Sequence, residues 1–550
     1  MSRFHQMDWK KGSDMNKRVP AMFGILMLSC FTTGWACTNF LISKGASADG
    51  STFISYTADS HVLFGELYYF PAAEYPEGAM LDVYEWDSGK YLGKIPQVRK
   101  TYSVVGNMNE HQVSIGETTF GGRPECQGGK GEMDYGSLMY IALQRARTAR
   151  EAIRIMGELV QKHGYVSSGE SISVADANEV WILEMIGKGP EESGAVWVAR
   201  RVPDGMICAH ANQSRIRQFP LDDPENCLYS ADVIEFARKK GFFSGKDREF
   251  SFADTYAPAD FGALRFCEAR VWSMFRRAAP SMKFDLDYVR GDAKAEPLPL
   301  WIKPERKLTL QDVVAFMRDH FEDSEFDLHD GIGAGPYKLP YRWRPLTWKV
   351  DSTEYCHERS TSTQQTGFSF VSQMRSALPD PIGGVLWFGV DDTHSTVYVP
   401  MYCGMQKVPK PYAVGTADFW HFSWESAFHI FNFVANTAYS RYQDMIRDIQ
   451  IVQQELEGGF FARQAEIEAA ALALYRQSPQ LARDYLGTYS VEQGEKTVER
   501  WRRLGEFLLL KYMDGNVKDF TTREVTHPGY PEWFYRKIVE ESGDRYRVIE

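Results

Sequence analysis

The stretch CTNFLISKGASADGSTFISYTAD, residues 37–59, decides how the chain begins to fold. Residues 38–42 are rich in apolar side chains and form one predicted strand, and residues 51–56 form a second. Between them, residues 46–50 end in Asp-Gly, which is typical of a tight turn. The stretch therefore predicts a β-hairpin directly after Cys37.

Length and composition restrict the classes of protein to which the chain can belong. With 550 residues it favours two domains, or one large domain with an appended subdomain. Hydrophobic residues make up 44% and charged residues 25%, a globular composition that argues against intrinsic disorder. The net charge is -11, so no overall basic field exists to hold a nucleic acid.

Residues 1–36 resemble a signal peptide. Lys17 and Arg18 precede an apolar run over residues 21–31, which is too short to span a bilayer, and small Gly34 and Ala36 suit a cleavage site. Cleavage there would make Cys37 the first residue and leave 57 basic and 71 acidic residues, a net charge of -14. We expect an exported protein, periplasmic or secreted, and no later segment is typical of a transmembrane helix.

A lipid anchor is the alternative fate of this leader. Ala36 suits the position before a lipidated cysteine, but Gly34 and Trp35 suit a lipobox badly. Cys30, which follows Met-Leu-Ser, fits better. If Cys30 were lipidated, Cys37 would need a further cleavage to become terminal.

The cysteines do not have the spacing of a structural metal site, since no C-x-x-C pair occurs. In an exported protein, the six cysteines after Cys37 could form up to three disulfides, and the sequence does not select among the pairings. They are Cys126, Cys208, Cys227, Cys267, Cys356 and Cys403.

The rest of the chain predicts a layered α+β core followed by helices. Two helices interrupt the first strands, and the second begins at the capping box Thr148–Glu151 and ends at Gly164. Another helix follows the box Thr309–Asp312. Further strands are expected at 102–105, 113–115, 171–174, 180–185, 195–198, 206–209, 384–388 and 395–399. Helices are expected at 423–457, ending at Gly458-Gly459, and at 460–477 and 491–511.

Cys37 is the most informative candidate for chemistry. Once the leader is removed, its thiol lies next to a free α-amine, whose usual pKa of about 7.7 to 8.0 suits a base near neutral pH. One residue would then supply both nucleophile and base. A lipid-modified cysteine and half of a disulfide are the alternative interpretations.

The mature start resembles that of bacterial dipeptidase A-type cysteine dipeptidases, whose pattern is C-T-x-hydrophobic followed by K-x-A-S-x-D-G-S. The resemblance covers most of the mature chain. It continues in ISVADANEVW at 172–181, MRDH at 317–320, FDL at 326–328, GP at 335–336, PYRW at 340–343 and VYVPMY at 397–402.

The resemblance implies an N-terminal nucleophile hydrolase: an αββα sandwich that works through an acyl-enzyme, without a metal or other cofactor. It implies a catalytic domain over residues 37–415 and a helical C-terminal subdomain over 416–550. The expected substrates are dipeptides, and a homo-oligomer is compatible with the sequence. In this superfamily an Arg-x-x-Asp segment follows the nucleophile. Here Asp59 fits and would orient Cys37, whereas Tyr56 stands where the arginine is expected.

Three further residues acquire roles by the same resemblance. Asn212 matches the asparagine that donates a hydrogen bond to the tetrahedral oxyanion, although a turn residue is the ordinary interpretation of an asparagine after a strand. Thr119 takes a place often held by asparagine and could supply a second donor. Glu117 could bind a substrate ammonium, or it could be a solvated carboxylate at the end of a strand.

Two rival functions stay open on the sequence. One is an amidase of the penicillin V or bile-salt type on the same fold, and the other is a lipid-anchored binding protein without catalysis. The motifs of serine α/β-hydrolases and of zincins are missing from the sequence. Gly331–Gly335 is more typical of a turn than of a phosphate-binding loop, and His111, His163, His210 and His320 have no metal-ligand spacing.

Overall fold

The computed structural model describes residues 37–549. The predicted leader and Cys30 lie outside these residues. The described strands are β1 (Asn39–Ile42), β2 (Thr52–Asp59), β3 (Tyr69–Phe70), β4 (Ala73–Glu74), β5 (Met80–Tyr84), β6 (Tyr91–Pro96), β7 (Lys100–Thr101), β8 (Val104–Val105), β9 (Met108–Asn109), β10 (Ser114–Gly121), β11 (Gly169–Ala175), β12 (Val180–Gly187), β13 (Ala195–Arg201), β14 (Ile207–His210), β15 (Cys227–Tyr229), β16 (Trp301–Ile302), β17 (Thr347–Val350), β18 (Thr353–Cys356), β19 (Thr366–Met374), β20 (Val385–Val390), β21 (Val399–Tyr402), β22 (Val517–Lys518) and β23 (Val525–Thr526).

The described α-helices are α1 (Tyr135–Arg145), α2 (Ala149–His163), α3 (Val233–Lys239), α4 (Phe252–Tyr256), α5 (Ala269–Ala278), α6 (Leu286–Arg290), α7 (Leu310–Met317), α8 (Asp380–Gly383), α9 (Ala427–Tyr439), α10 (Tyr442–Gln477), α11 (Pro479–Tyr512) and α12 (Glu532–Ser542). This mixture of helix and sheet confirms the predicted α+β class. Within residues 37–549, no helix combines the length and apolar character needed to cross a bilayer.

Two antiparallel sheets form the centre of the molecule. The first has the strand order β16-β14-β1-β2-β19-β20-β21, and the second has the order β15-β13-β12-β11-β10-β9-β8-β3. The predicted hairpin at Cys37 is confirmed, with Leu41 of β1 opposite Ile54 of β2. Every residue of β2 is buried because β1 and β19 flank it in the sheet and the second sheet packs against it.

Helices cover the outer faces of both sheets. Alternation along β12 shows the layering: Ile182 belongs to the core that includes β1 and β2, whereas Leu183 belongs to the core under α1 and α2. On the other side, α9 and α11 contact β20 and β21 of the first sheet. The order of layers is therefore helix, sheet, sheet, helix.

The predicted helix starts at 148 and 309 are confirmed. The Thr148 side chain accepts a hydrogen bond from the Glu151 main chain, and Gly164 ends α2 with a φ of 76°, a left-handed value that suits glycine. Thr309 and Asp312 form the expected reciprocal capping box of α7. Local side-chain chemistry is sufficient to determine these helix ends.

Two predictions in the later part of the chain are wrong. The expected strand at 395–399 is replaced by a turn in which the Ser395 amide donates to the Asp392 carbonyl, and β21 begins only at Val399. The expected helix over 423–457 is interrupted between α9 and α10, and α10 then runs through Gly458-Gly459. The buried neighbours Glu457 and Phe460 hold α10 in place, which outweighs the cost of about 1 kcal/mol for each glycine.

The C-terminal helices share the main hydrophobic core. Val399 and Met401 of β21 belong to the same buried cluster as Phe431 of α9 and Trp501 of α11. The rings of Phe431 and Trp501 stack with centroids 4.8 Å apart. The domain boundary at 415/416 stays a prediction.

The seven cysteines of the described residues are all free thiols. Cys37, Cys126, Cys208, Cys227 and Cys403 are buried, and Cys267 and Cys356 are half-buried. None of the disulfides that the sequence left open is formed within residues 37–549.

Replacing Phe431 by alanine should destabilise the whole fold, because it removes a buried ring from the core shared by sheet and helices. We expect a loss of about 3–5 kcal/mol in the free energy of unfolding, measured by denaturant titration. Leu481→Ala, at a 43% exposed position, is the control and should be nearly neutral. Selective unfolding of α9–α11 with the sheets intact would contradict a shared core.

Candidate active site

Cys37 lies at the start of β1 between the two sheets, and only 4% of the residue is exposed. Its Sγ is 3.8 Å from the Tyr56 hydroxyl and 3.9 Å from Glu117 Oε1. The strands approach closely here, since a Cβ on Gly116 would lie 2.5 Å from Asn39 Oδ1. Glycine at 116 therefore brings β10, which carries Glu117, up to Cys37.

The surroundings of Cys37 keep its thiol protonated. Burial raises its pKa well above the usual value, and the charges of Glu117 and Asp59 raise it further. Hydrogen bonds with the Asp59 main chain and the Tyr56 hydroxyl oppose this rise. Because a thiolate is the reactive form, catalysis at this position requires a base that accepts the thiol proton.

The Asp59 carboxylate is held by three donors. Thr57 Oγ1 donates to it at 2.9 Å, Thr366 Oγ1 at 2.7 Å and Arg359 Nη2 at 2.7 Å. The ion pair with Arg359 is almost completely buried. Asp59 therefore interacts with Cys37 through a main-chain hydrogen bond and through the electrostatic effect of its carboxylate. The ion pair with Arg359 compensates most of that negative charge.

Glu117 is buried, so the interpretation as a solvated carboxylate is wrong. Its Oε1 accepts a hydrogen bond from Tyr56 at 2.5 Å. Burial raises the pKa of both Glu117 and the neighbouring Glu170, and the charge of Glu117 raises that of Glu170 further, well above its usual value. Thr119 Oγ1 donates to Glu170 Oε1 at 2.9 Å. Of the two carboxyl groups, Glu170 therefore holds its proton more strongly, and Glu117 is the one that lies beside Cys37.

Asn212 follows β14 in a left-handed conformation, with a φ of 63°, which asparagine tolerates better than most residues. Its Nδ2 donates to the Thr119 carbonyl at 2.7 Å, and its Oδ1 accepts from Arg270 Nη2 at 3.0 Å. These two bonds fix the plane of the amide. The second N–H of Nδ2 is available for an oxyanion.

Arg270, on α5, joins the parts of the site. Its Nη1 donates to the Cys37 carbonyl at 2.6 Å and to Thr38 Oγ1 at 2.7 Å, and its Nη2 reaches Ala211 and Asn212. Burial and the nearby Arg359 lower its pKa to about 10, so it remains charged at neutral pH. Arg270 and Arg359 supply the guanidinium groups that the sequence lacks at Tyr56.

The structure brings together all six residues that the sequence analysis selected: Cys37, Tyr56, Asp59, Glu117, Thr119 and Asn212. Sequence reasoning missed Asn39, Glu170, Arg270 and Arg359. Asn39 lies on β1, Glu170 on β11 and Arg270 on α5, while Arg359 lies in the loop between β18 and β19, and the sequence spacing of these residues predicts no contact with Cys37. Of the described residues, His320, Glu322 and His329 are grouped closely enough to hold a metal ion, and no direct contact joins them to Cys37.

Comparisons with known proteins identify the family of the chain. The family model described as Peptidase family C69 matches residues 65–455, which include Glu117, Asn212, Arg270 and Arg359 and begin after Cys37. A probable dipeptidase of Latilactobacillus sakei is 25% identical over 400 residues, which cover 68% of this chain and 76% of the relative. A probable dipeptidase of Salmonella dublin is 24% identical, covering 68% of this chain and 82% of its own.

A further relative extends over almost the whole chain. A probable dipeptidase B of Streptococcus pyogenes serotype M1 is 23% identical over 532 residues, covering 92% of this chain and 99% of its own. The family model covers more than half of the chain. The protein therefore belongs to peptidase family C69, in its dipeptidase A-like group.

Proposed function

We propose that the protein is an exported cysteine dipeptidase of the N-terminal nucleophile type, with Cys37 as nucleophile once residues 1–36 are removed. The observation that carries the proposal is the buried Cys37 thiol among Tyr56, Glu117 and Asp59. Its raised pKa calls for a base, and the α-amine released on the same residue supplies one. The helix, sheet, sheet, helix layering agrees with the αββα sandwich of such hydrolases.

The reaction proceeds through an acyl-enzyme. The α-amine of Cys37 takes the thiol proton, and the sulfur attacks the carbonyl carbon of the peptide bond. The second N–H of Asn212 stabilises the tetrahedral oxyanion. Collapse of this intermediate breaks the C–N bond, and the α-amine passes its proton to the departing amine. Water, deprotonated by the same amine, then hydrolyses the thioester and restores the thiol.

Glu117 is proposed to bind the free ammonium group of the substrate. In an unblocked peptide the ammonium lies two bonds from the carbonyl carbon that the sulfur attacks. Glu117 Oε1 lies 3.9 Å from Cys37 Sγ, which is close enough to contact both. The Tyr56 hydroxyl holds this oxygen by a hydrogen bond, and the Glu117 carboxylate matches the single positive charge of the ammonium.

Arg270 and Arg359 act as positioning residues. Arg270 fixes the Cys37 carbonyl and the Asn212 amide relative to each other, so nucleophile and oxyanion donor keep their separation. Arg359 neutralises Asp59, which lowers the electrostatic cost of forming a thiolate nearby. Export and removal of residues 1–36 are part of the proposal, because a chain lipidated at Cys30 would deny Cys37 its free amine.

Cys37→Ala should abolish dipeptide hydrolysis and leave the melting temperature within a few degrees of the wild type, because the thiol is small and the strand remains. The measurement is turnover of a dipeptide panel, together with intact mass and N-terminal sequencing of the exported chain. Cys208→Ala, at another buried free thiol, is the control. Full turnover in Cys37→Ala, or an active chain that retains residues 31–36, would refute the mechanism.

Glu117→Gln should reduce kcat/KM for unblocked dipeptides by about 10- to 150-fold, since it removes a charged partner worth about 1.5–3 kcal/mol. N-acetylated dipeptides, which lack the ammonium, should lose much less. Glu495→Gln, on the exposed face of α11, is the matched control. An equal loss on free and acetylated peptides would reject ammonium recognition and favour the amidase.

Asn212→Gly should lower kcat by about 10² to 10³ with little change in KM, as expected for loss of an oxyanion donor. Glycine suits this test because the φ of 63° costs it nothing, so the loss reports on the amide alone. Asp351→Gly, at an exposed position with a φ of 53°, is the control. Unchanged kcat in Asn212→Gly would assign the oxyanion to another donor.

A further inference from the structure

A group of metal-ligating side chains follows α7, in a part of the molecule that the proposed reaction does not use. His320 is completely buried, while the side chains of Glu322 and His329 are 35% and 22% exposed. One ligating atom from each of these three residues lies within 4.8 Å of the others. Glu322 and His329 lie two and nine residues after His320, a spacing that does not match a familiar metal motif.

The hydrogen bonds of His320 determine which of its nitrogens is free. Asp392 accepts from four donors, among them the Tyr341 hydroxyl at 2.6 Å. Since Tyr341 uses its only proton there, its oxygen accepts from His320 Nε2 at 3.1 Å. The other nitrogen, Nδ1, then faces Glu322 Oε1 at 3.3 Å. In a neutral His320 this nitrogen is an acceptor, so the contact requires either a proton on Nδ1 or a metal ion between the two atoms.

His329 is oriented in the same way. Its Nδ1 lies 2.9 Å from Asp327 Oδ1, a carboxylate oxygen that can only accept, so Nδ1 carries the proton. Its Nε2 is therefore the nitrogen with a free lone pair. Both histidines have one nitrogen held by a carboxylate, directly or through Tyr341, an arrangement that is usual behind metal-binding histidines.

The neighbouring charged groups have partners of their own. Arg277 pairs with Asp319, and Arg318 pairs with Glu457. Arg276 donates to the main-chain carbonyl of Glu322, leaving the carboxylate to the histidines. His394 has both ring nitrogens within hydrogen-bonding distance of Arg318 and Gln450. Three ligands therefore converge, and within residues 37–549 no arginine pairs with the Glu322 carboxylate.

We propose that His320 Nδ1, His329 Nε2 and a Glu322 carboxylate oxygen bind one divalent transition-metal ion of the zinc class. Two imidazoles and a carboxylate suit zinc, and bond lengths of about 2.0–2.2 Å place tetrahedral ligands about 3.3–3.5 Å apart. His320 and Glu322 already meet this spacing. His329 completes the group, since one ligating atom of each of the three residues lies within 4.8 Å of the others.

A water molecule would complete the coordination and could reach the ion from solvent. Glu322 and His394 line a cavity of about 420 Å³ beside the group. Since the proposed hydrolysis runs on Cys37, the ion is structural. The ion would stabilise the segment that ends near Tyr341. Because Tyr341 and Ser362 both donate hydrogen bonds to Asp392, it would also support the loop that places Arg359 beside Asp59.

The test is titration of the tag-free, chelator-treated full chain with Zn²⁺ alone, by calorimetry and by the rise in melting temperature. It is done in the Cys37→Ala background, so that neither zinc binding by the nucleophile nor failure of the proposed catalysis affects the result. We expect one Zn²⁺ per chain with a micromolar or tighter Kd and a melting temperature several degrees higher. Co²⁺ should give a visible spectrum of nitrogen and oxygen ligation without thiolate bands.

His329→Gln should weaken Zn²⁺ binding at least tenfold and remove the rise in melting temperature, and Glu322→Gln should do the same. His163→Gln is the matched control, because His163 pairs with Glu132 at 3.3 Å and lacks a third ligand. Circular dichroism checks that each variant folds. Absence of stoichiometric binding, or equal binding in His329→Gln and in the control, would overturn the proposal and identify the His320–Glu322 contact as a proton-mediated ion pair.

Discussion

The site depends on one buried cation, Arg270. Arg270 is 1% exposed, and its guanidinium contacts the segment before β1, the segment after β14 and the helical turn that precedes α5. An arginine without water pays a large desolvation cost, which here is offset by hydrogen bonds to carbonyl and side-chain oxygens. The buried carbonyl oxygens in turn depend on the arginine for their hydrogen bonds. This mutual dependence holds Cys37 and Asn212 in one arrangement.

Around this cation, the site separates its charges into two groups. The ion pair with Arg359 compensates most of the negative charge of Asp59 within the protein. Among residues 37–549, neither Glu117 nor Glu170 has a cationic partner, and burial raises the pKa of both. A buried charge without a cation is costly. The proposed substrate ammonium would supply that cation.

Ion pairs join the helices after residue 420 to the part of the chain that forms the sheets. Arg375, which follows β19, forms two hydrogen bonds with Glu468 of α10, and Arg318, which follows α7, pairs with Glu457. The second pair links α10 to the segment that carries the proposed metal ligands. Since β19 also flanks β2, the long helices support the strand that carries Tyr56 and Asp59.

The sequence by itself determined the features whose signals are local. It identified the hairpin after Cys37, the capped starts of α2 and α7, the α+β class and the dipeptidase A-like motifs, because each depends on a few adjacent side chains. It also selected Cys37, Tyr56, Asp59, Glu117, Thr119 and Asn212, the last five through family resemblance. It failed at Gly458-Gly459, where packing of buried neighbours outweighs an intrinsic helix penalty.

Only the tertiary structure decided the electrostatics of the site. Arg270 lies 233 residues after Cys37, and Arg359 lies 300 residues after Asp59. Glu170 meets Glu117 because β11 pairs with β10, and His329 meets His320 because the chain turns back after α7. Burial and strand pairing bring these groups together and set their charges. Neither is encoded in the spacing of residues along the chain.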